Sequence, residues 1–141
     1  MAVYRGLRRG AVSCILQRTR DSLLAQDGRY RMFNANADRA QPEWWLERQK
    51  DRLPGLIGVT PTEFGEGFAV GRLELRPELR APNGFLHAAT VIALADTLCG
   101  YGCVANLPDG ASGFTTVEVK SNFLGAATEG TLVPRATMVH S

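Results

Sequence analysis

The chain has 141 residues, 45% of them hydrophobic, and a formal net charge of +2. That is one domain's length with apolar content enough for one core, and the ordinary charge excludes a mostly disordered polymer. The charge is uneven: eight Arg against Asp21, Asp27 and Asp38 give residues 1–40 a charge of +5, whereas eight basic and eleven acidic groups give residues 41–141 a charge of −3. The weakly acidic part has no particular attraction for nucleic acid, so the basic total is not read as a DNA-binding signal. No apolar run approaches the roughly 20 residues of a bilayer span, so a soluble, cytoplasmic protein is expected. Three Cys, at 14, 99 and 103, form neither an even disulfide set nor a closed metal site; they read as small buried side chains in a reducing compartment.

Residues 1–40 read as a basic, poorly ordered extension. Their apolar patch AVSCIL is too short for a signal peptide, and Asp21 and Asp27 argue against a transit peptide. Met32 is expected to be the natural start, with the first 31 residues read from an upstream initiation codon. The domain is expected over residues 41–141. Pro42 suits the first position of a helix, EWWLERQKDRL follows, and Pro54 is expected to end it, with Trp44 and Trp45 pinning the helix to the core. From Leu56 to Leu75 the pattern turns to two strands joined at Gly65-Glu66-Gly67. In the second strand Phe68, Val70, Arg72 and Glu74 alternate with Ala69, Gly71, Leu73 and Leu75.

A polar loop leads to NGFLHAATVIALADTLCGYGC, from Asn83 to Cys103. Its apolar density and lack of Pro predict a central helix over about 86–104, buried on most sides. Asp96 stands in its middle, in a row of small side chains formed by Ala89, Ala93, Gly100 and Cys103. A lone carboxylate in apolar surroundings needs a reason: either it is a structural group answering Thr97, a backbone amide or an Arg, or it is a catalytic base or nucleophile. After the turn-rich LPDGASG, GFTTVEVKSNFLG reads as a strand with Val117, Val119 and Phe123 on one face and Thr116, Glu118, Lys120 and Asn122 on the other; Thr115 points away from Thr116. TLVPRATMVH is a further strand, with Pro134 marking an edge or a bulge.

The segments PNGFLHAATVIALADTLCGYG, FTTVEVKSNFLG and EGTLVPRATMVH resemble the hotdog-fold acyl-CoA thioesterases, specifically the phenylacetic-acid-pathway (PaaI-like) group. The likeness runs from about Pro42 to the end. It implies an α+β fold in which an antiparallel sheet wraps a central helix, and a homodimer or dimer of dimers that hydrolyses a coenzyme A thioester at the subunit interface, with no cofactor and no metal. His87 and Asp96 keep the family's nine-residue interval, so Asp96 matches the general base or nucleophile. Ala88 matches the residue whose backbone N–H meets the thioester carbonyl. Thr116 matches the hydroxyl residue of the following strand, and Asn83, Gly84 and His87 fall where substrate is bound. The family's His-Gly-Gly is His-Ala-Ala here, and its Asn six residues before the His is Ala81. The resemblance also places about two more strands after Val139, between the last strand here and the one after the helix, so the sheet is expected to be incomplete.

Physical arguments run beside the resemblance. First-turn N–H groups of a helix are unpaired and favour developing negative charge, which suits an oxyanion. Ala88 and Asp96 lie about 12 Å apart along the helix, too far to grip one carbonyl, so two chains must contribute. His87 also reads as a merely satisfied local group, Thr116 as an ordinary strand residue, and Arg72, Arg76 and Arg80 as solvated charges as well as phosphate contacts. The expected activity is hydrolysis of aryl- or medium-chain acyl-CoA. Its alternatives are a non-catalytic acyl-ligand binder or inactive remnant and, third, a hydroxyacyl-thioester dehydratase, for which His87 is too far from Asp96 in one chain.

Overall fold

The computed structural model describes residues 2–6, 10–18, 36–108, 111 and 113–139. In chain order these form β1 (Ala2–Gly6), β2 (Gly10–Arg18), α1 (Asn36–Arg39), α2 (Pro42–Arg48), α3 (Leu53–Ile57), β3 (Thr60–Gly65), β4 (Phe68–Glu74), a 3-10 turn (Pro77–Leu79), α4 (Ala88–Ala105), β5 (Phe114–Asn122), β6 (Thr131–Leu132) and β7 (Arg135–Met138). The strands make one antiparallel sheet in the order β3-β4-β7-β1-β2-β5, with β6 pairing β4 beside that path. The result is an α+β fold in which a sheet covers one long helix.

That helix is apolar nearly all round and is covered on most of its sides: Thr90, Leu94, Ala95, Leu98, Cys99, Gly100, Gly102 and Val104 are buried. Leu94, Ala95, Leu98 and Cys99 are at most 1% exposed, and their spacing by three and four sets them on one face. Leu94 packs among Ile57, Val59, Leu73, Leu79 and Leu132, while Leu98 and Cys99 meet Ala69 and Ala136. Of its residues only Ala88, Ala89 and Ile92, near its start, are exposed, so α4 is buried on most sides as its composition suggests. By length and composition alone α4 would suffice to cross a bilayer, contrary to the sequence-based count. Its packing against the sheet accounts for the apolarity.

Aromatic stacking ties the N-terminal helices to this core. The Trp45 ring lies 3.9 Å from that of Tyr101 and 6.3 Å from that of Phe64, both stacked. Its Nε1–H donates to the Arg39 carbonyl at 2.8 Å. Gln49 bridges two elements: its Nε2 donates to the Val59 carbonyl, and its Oε1 accepts from the Tyr101 hydroxyl at 2.9 Å. An aromatic platform and a satisfied buried amide thus fix α2 against the second half of α4.

Several expectations change on this framework. Pro54 does not end a helix but sits in the first turn of α3, where its missing N–H costs nothing; Leu56 is therefore helical, and the strand begins at Thr60. Pro134, expected at an edge or a bulge, lies where β4 is the one neighbour among the described strands, which is an edge position. It separates β6 from β7, both paired to β4, and its carbonyl accepts from Gly71 N–H at 3.1 Å. Within the stretch expected to be a basic extension, Ala2–Gly6 and Gly10–Arg18 are strands inside the sheet, and Asn36–Arg39 is helical with Arg39 buried. The place between β7 and β5, expected to stand empty, is occupied by β1 and β2. Met32, the expected natural start, lies outside the described residues.

Two measurements test this packing. Leu98→Ala should lower unfolding free energy by about 2–5 kcal/mol in a denaturant titration, the range for an unrelieved core truncation. Burial pushes the Tyr101 phenol from 10.0 up to about 12, with Arg52 acting weakly in the other direction. A folded-state value raised above the unfolded one gives stability that is intact below pH 10 and lost as pH rises toward about 12. Tyr101→Phe should remove part of that alkaline loss, seen as a shallower fall in melting temperature between pH 10 and pH 12.

Candidate active site

The site begins in the loop ahead of α4. Arg80 and Leu86 form an isolated antiparallel bridge, Ala81 N–H reaches the Phe85 carbonyl at 2.8 Å, and Gly84 N–H reaches the Ala81 carbonyl at 2.9 Å. Gly84 turns the chain with φ of 86°, a region open to Gly at little cost. The exposed Asn83 closes the turn by accepting from Phe85 N–H at 3.2 Å through Oδ1. Asn83 and Gly84 therefore shape the approach to the helix.

His87 is the N-cap of α4. Its Nδ1 accepts from Ala89 N–H at 3.0 Å, and its carbonyl accepts from Thr90 N–H at 3.0 Å and Val91 N–H at 3.3 Å. An imidazole can accept at Nδ1 only when neutral with its proton on Nε2. Its own N–H and the Thr90 hydroxyl converge on the Leu79 carbonyl, anchoring the helix start to the 3-10 turn. The cap engages the Ala89 amide. Ala88, one residue earlier and exposed, presents a first-turn N–H that no carbonyl of its own helix can reach, at the positive end of the helix dipole.

Asp96 stands two turns on, half-buried beside the buried Ala95. The Thr116 hydroxyl donates to Asp96 Oδ1 at 2.9 Å. This contact requires Thr116 to face α4, which strict alternation along β5 denies it, because Val119 faces α4 as well and packs beside Ala95. The pairing with β2 resolves the conflict. Ile15 opposes Glu118 and Leu16 opposes Thr116, so Val117 has no opposite number and forms a β-bulge. One extra residue reverses the parity, so Thr116 and Phe114 join Val119 on the helix side. Phe114 reaches so near that a Cβ on Gly100 would lie 2.7 Å from its ring. The expectation that Thr116 lies on the face opposite Val119 is thus corrected. No residue type in TTVEV announces the bulge; it belongs to the pairing.

The three arginines diverge. Arg72 is exposed on β4; Arg76 donates to the Leu56 carbonyl and lies 3.8 Å from Glu78; Arg80 is half-buried. Among the described residues no group of three or more His, Cys, Asp or Glu could hold a metal ion. A hydroxyl-bound carboxylate and an open helix N-terminus on one helix, about 12 Å apart by helical rise, can serve acyl-transfer chemistry only if something brings a second such helix alongside.

The architecture is that of a hotdog fold. Residues 83–141 match the family model described as the thioesterase superfamily. A thioesterase of Haemophilus influenzae shares the fold at 21% identity over 72% of this chain and 70% of that one, with a TM-score of 0.67. A mutant thioesterase of Pseudomonas aeruginosa does so at 21% identity over 72% and 73%, with a TM-score of 0.67. A conserved protein of the same bacterium is 28% identical over 67% of this chain and 75% of its own, with a TM-score of 0.56. No curated protein sequence is significantly similar to the chain.

The capping geometry is open to direct test. His87→Ala should destabilise the protein by about 0.5–2 kcal/mol, whereas His87→Asn, which can still accept from a first-turn N–H, should recover most of the loss in the same thermal melt.

Proposed function

We propose that the protein hydrolyses acyl-CoA thioesters, with aryl- or medium-chain acyl groups as the substrate class suggested by its likeness to the phenylacetic-acid-pathway enzymes. The observation that carries this reading is the hydrogen bond from Thr116 to Asp96, which holds a carboxylate in place on the core helix of a fold shared with thioesterases. Asp96 acts as general base, taking a proton from water as its oxygen attacks the thioester carbon, or attacks that carbon itself to give an anhydride that water then cleaves. The Ala88 N–H of a second copy stabilises the oxyanion. The intermediate collapses with loss of the coenzyme A thiolate, which is protonated on release. Asn83, Gly84 and His87 form the mouth through which the thioester enters.

The second copy has a natural place. β5 ends the sheet order, so among the described strands its outer edge has no neighbour, and an open edge with exposed apolar groups favours pairing. Val117 is 55% exposed, Phe123 49% and Leu124 66%, and the exposed Ile92 of α4 adds to them. Pairing of two copies along β5, as a cytoplasmic homodimer or a dimer of dimers, would set the helices side by side. The Ala88-Ala89 pair, where the resemblance has Gly-Gly, favours a second reading: a non-catalytic acyl-ligand binder, because the added methyl groups narrow the approach to the N–H.

Asp96→Asn separates the two. With phenylacetyl- and medium-chain acyl-CoA substrates, kcat should fall by about 10²–10⁴-fold while calorimetry still detects binding of the thioester. Undiminished hydrolysis would remove Asp96 from the mechanism. Binding without turnover in the unaltered protein would establish the binder instead.

A further inference from the structure

β5 has one strand neighbour among the described elements, and that neighbour comes from the far end of the sequence. Residues 2–6 and 10–18 form an antiparallel hairpin in which Ala2 opposes Cys14 and Gly6 opposes Gly10. The hairpin lies within the sheet: β1 pairs β7 through Ala2–Met138, Val3–Thr137 and Tyr4–Ala136, and β2 pairs β5 from Ala11–Asn122 to Arg18–Phe114. Without it the sheet divides into β3-β4-β7 with β6 on one side and β5 alone on the other. A lone strand keeps neither its ladder bonds nor a defined register.

The hairpin also sets the direction of Thr116. The bulge at Val117 exists because Ile15 and Leu16 are consecutive on β2 but oppose Glu118 and Thr116 on β5. We propose that residues 2–6 and 10–18 are an inserted strand pair that positions the candidate site from within the same chain: the β2 backbone at Ile15–Leu16 imposes the bulge that turns Thr116 toward Asp96. The hairpin touches no substrate and acts through Thr116. This placement concerns the fold and stands whether or not the protein hydrolyses thioesters. It follows the physics of strand addition, in which main-chain hydrogen bonds hold an extended segment between the open edges that receive it.

Two experiments on the full chain test it without an activity assay. Ser13 opposes Lys120, so Ser13→Cys with Lys120→Cys, in a Cys14→Ser background, should form an intrachain disulfide at least tenfold faster than the off-register pair Ser13→Cys with Glu118→Cys. Equal rates, or a cross-link that appears only between chains on a non-reducing gel, would overturn the proposal. Cys14 pairs with both Ala2 and Val119, and Ser13 with both Val3 and Lys120; successive N–H groups of a strand point to opposite sides, so one of Ser13→Pro and Cys14→Pro removes a ladder N–H directed at β5. Amide hydrogen exchange over residues 114–122 should then quicken at least tenfold, and the hydrogen bond from the Thr116 hydroxyl to Asp96 should be lost, seen as a displaced Asp96 carboxyl carbon signal at constant pH by NMR. Unaltered β5 protection in both variants would show that the hairpin does not hold the strand.

Discussion

The structure depends on covering α4 on most of its sides. Leu94, Ala95, Leu98 and Cys99 are closed off by the sheet and by α3, and removal of that much apolar surface from water is the main favourable term available to a domain of this size. Residues on the narrow strip through Ala89, Ile92 and Cys103 are not fully buried. Asp96 is one of them. A carboxylate there keeps contact with water and the Thr116 hydroxyl while the low-polarity core lies directly beside it, which avoids the cost of full burial.

The helix start is arranged with equal economy. Asn83 and Gly84 shape the turn, the Leu79 carbonyl receives both the His87 N–H and the Thr90 hydroxyl, and the His87 ring caps Ala89. Each of these groups serves the backbone of the loop or of the first helical turn. The proposed chemistry asks little of them beyond holding the Ala88 amide outward. A side chain with a local structural partner can in this way belong to a site without performing a chemical step.

Much of the fold was legible in the sequence. Period-two alternation located β4, and apolar density without Pro located α4. The nine-residue interval from His87 to Asp96, together with the Thr pair, pointed to the candidate site. What was not legible depends on long-range pairing. Pro54 was read as a stop, yet a Pro is equally at home in a first helical turn. The hairpin of β1 and β2 was read as an extension because its strands find their neighbours more than 90 residues away along the chain, beyond any local pattern. The bulge at Val117 was missed for the same reason.

That bulge makes two neighbouring, chemically identical residues unequal. Thr115 and Thr116 supply the same hydroxyl, but the backbone lets only the second reach Asp96. In this strand, geometry rather than composition decides which of two twins meets the carboxylate.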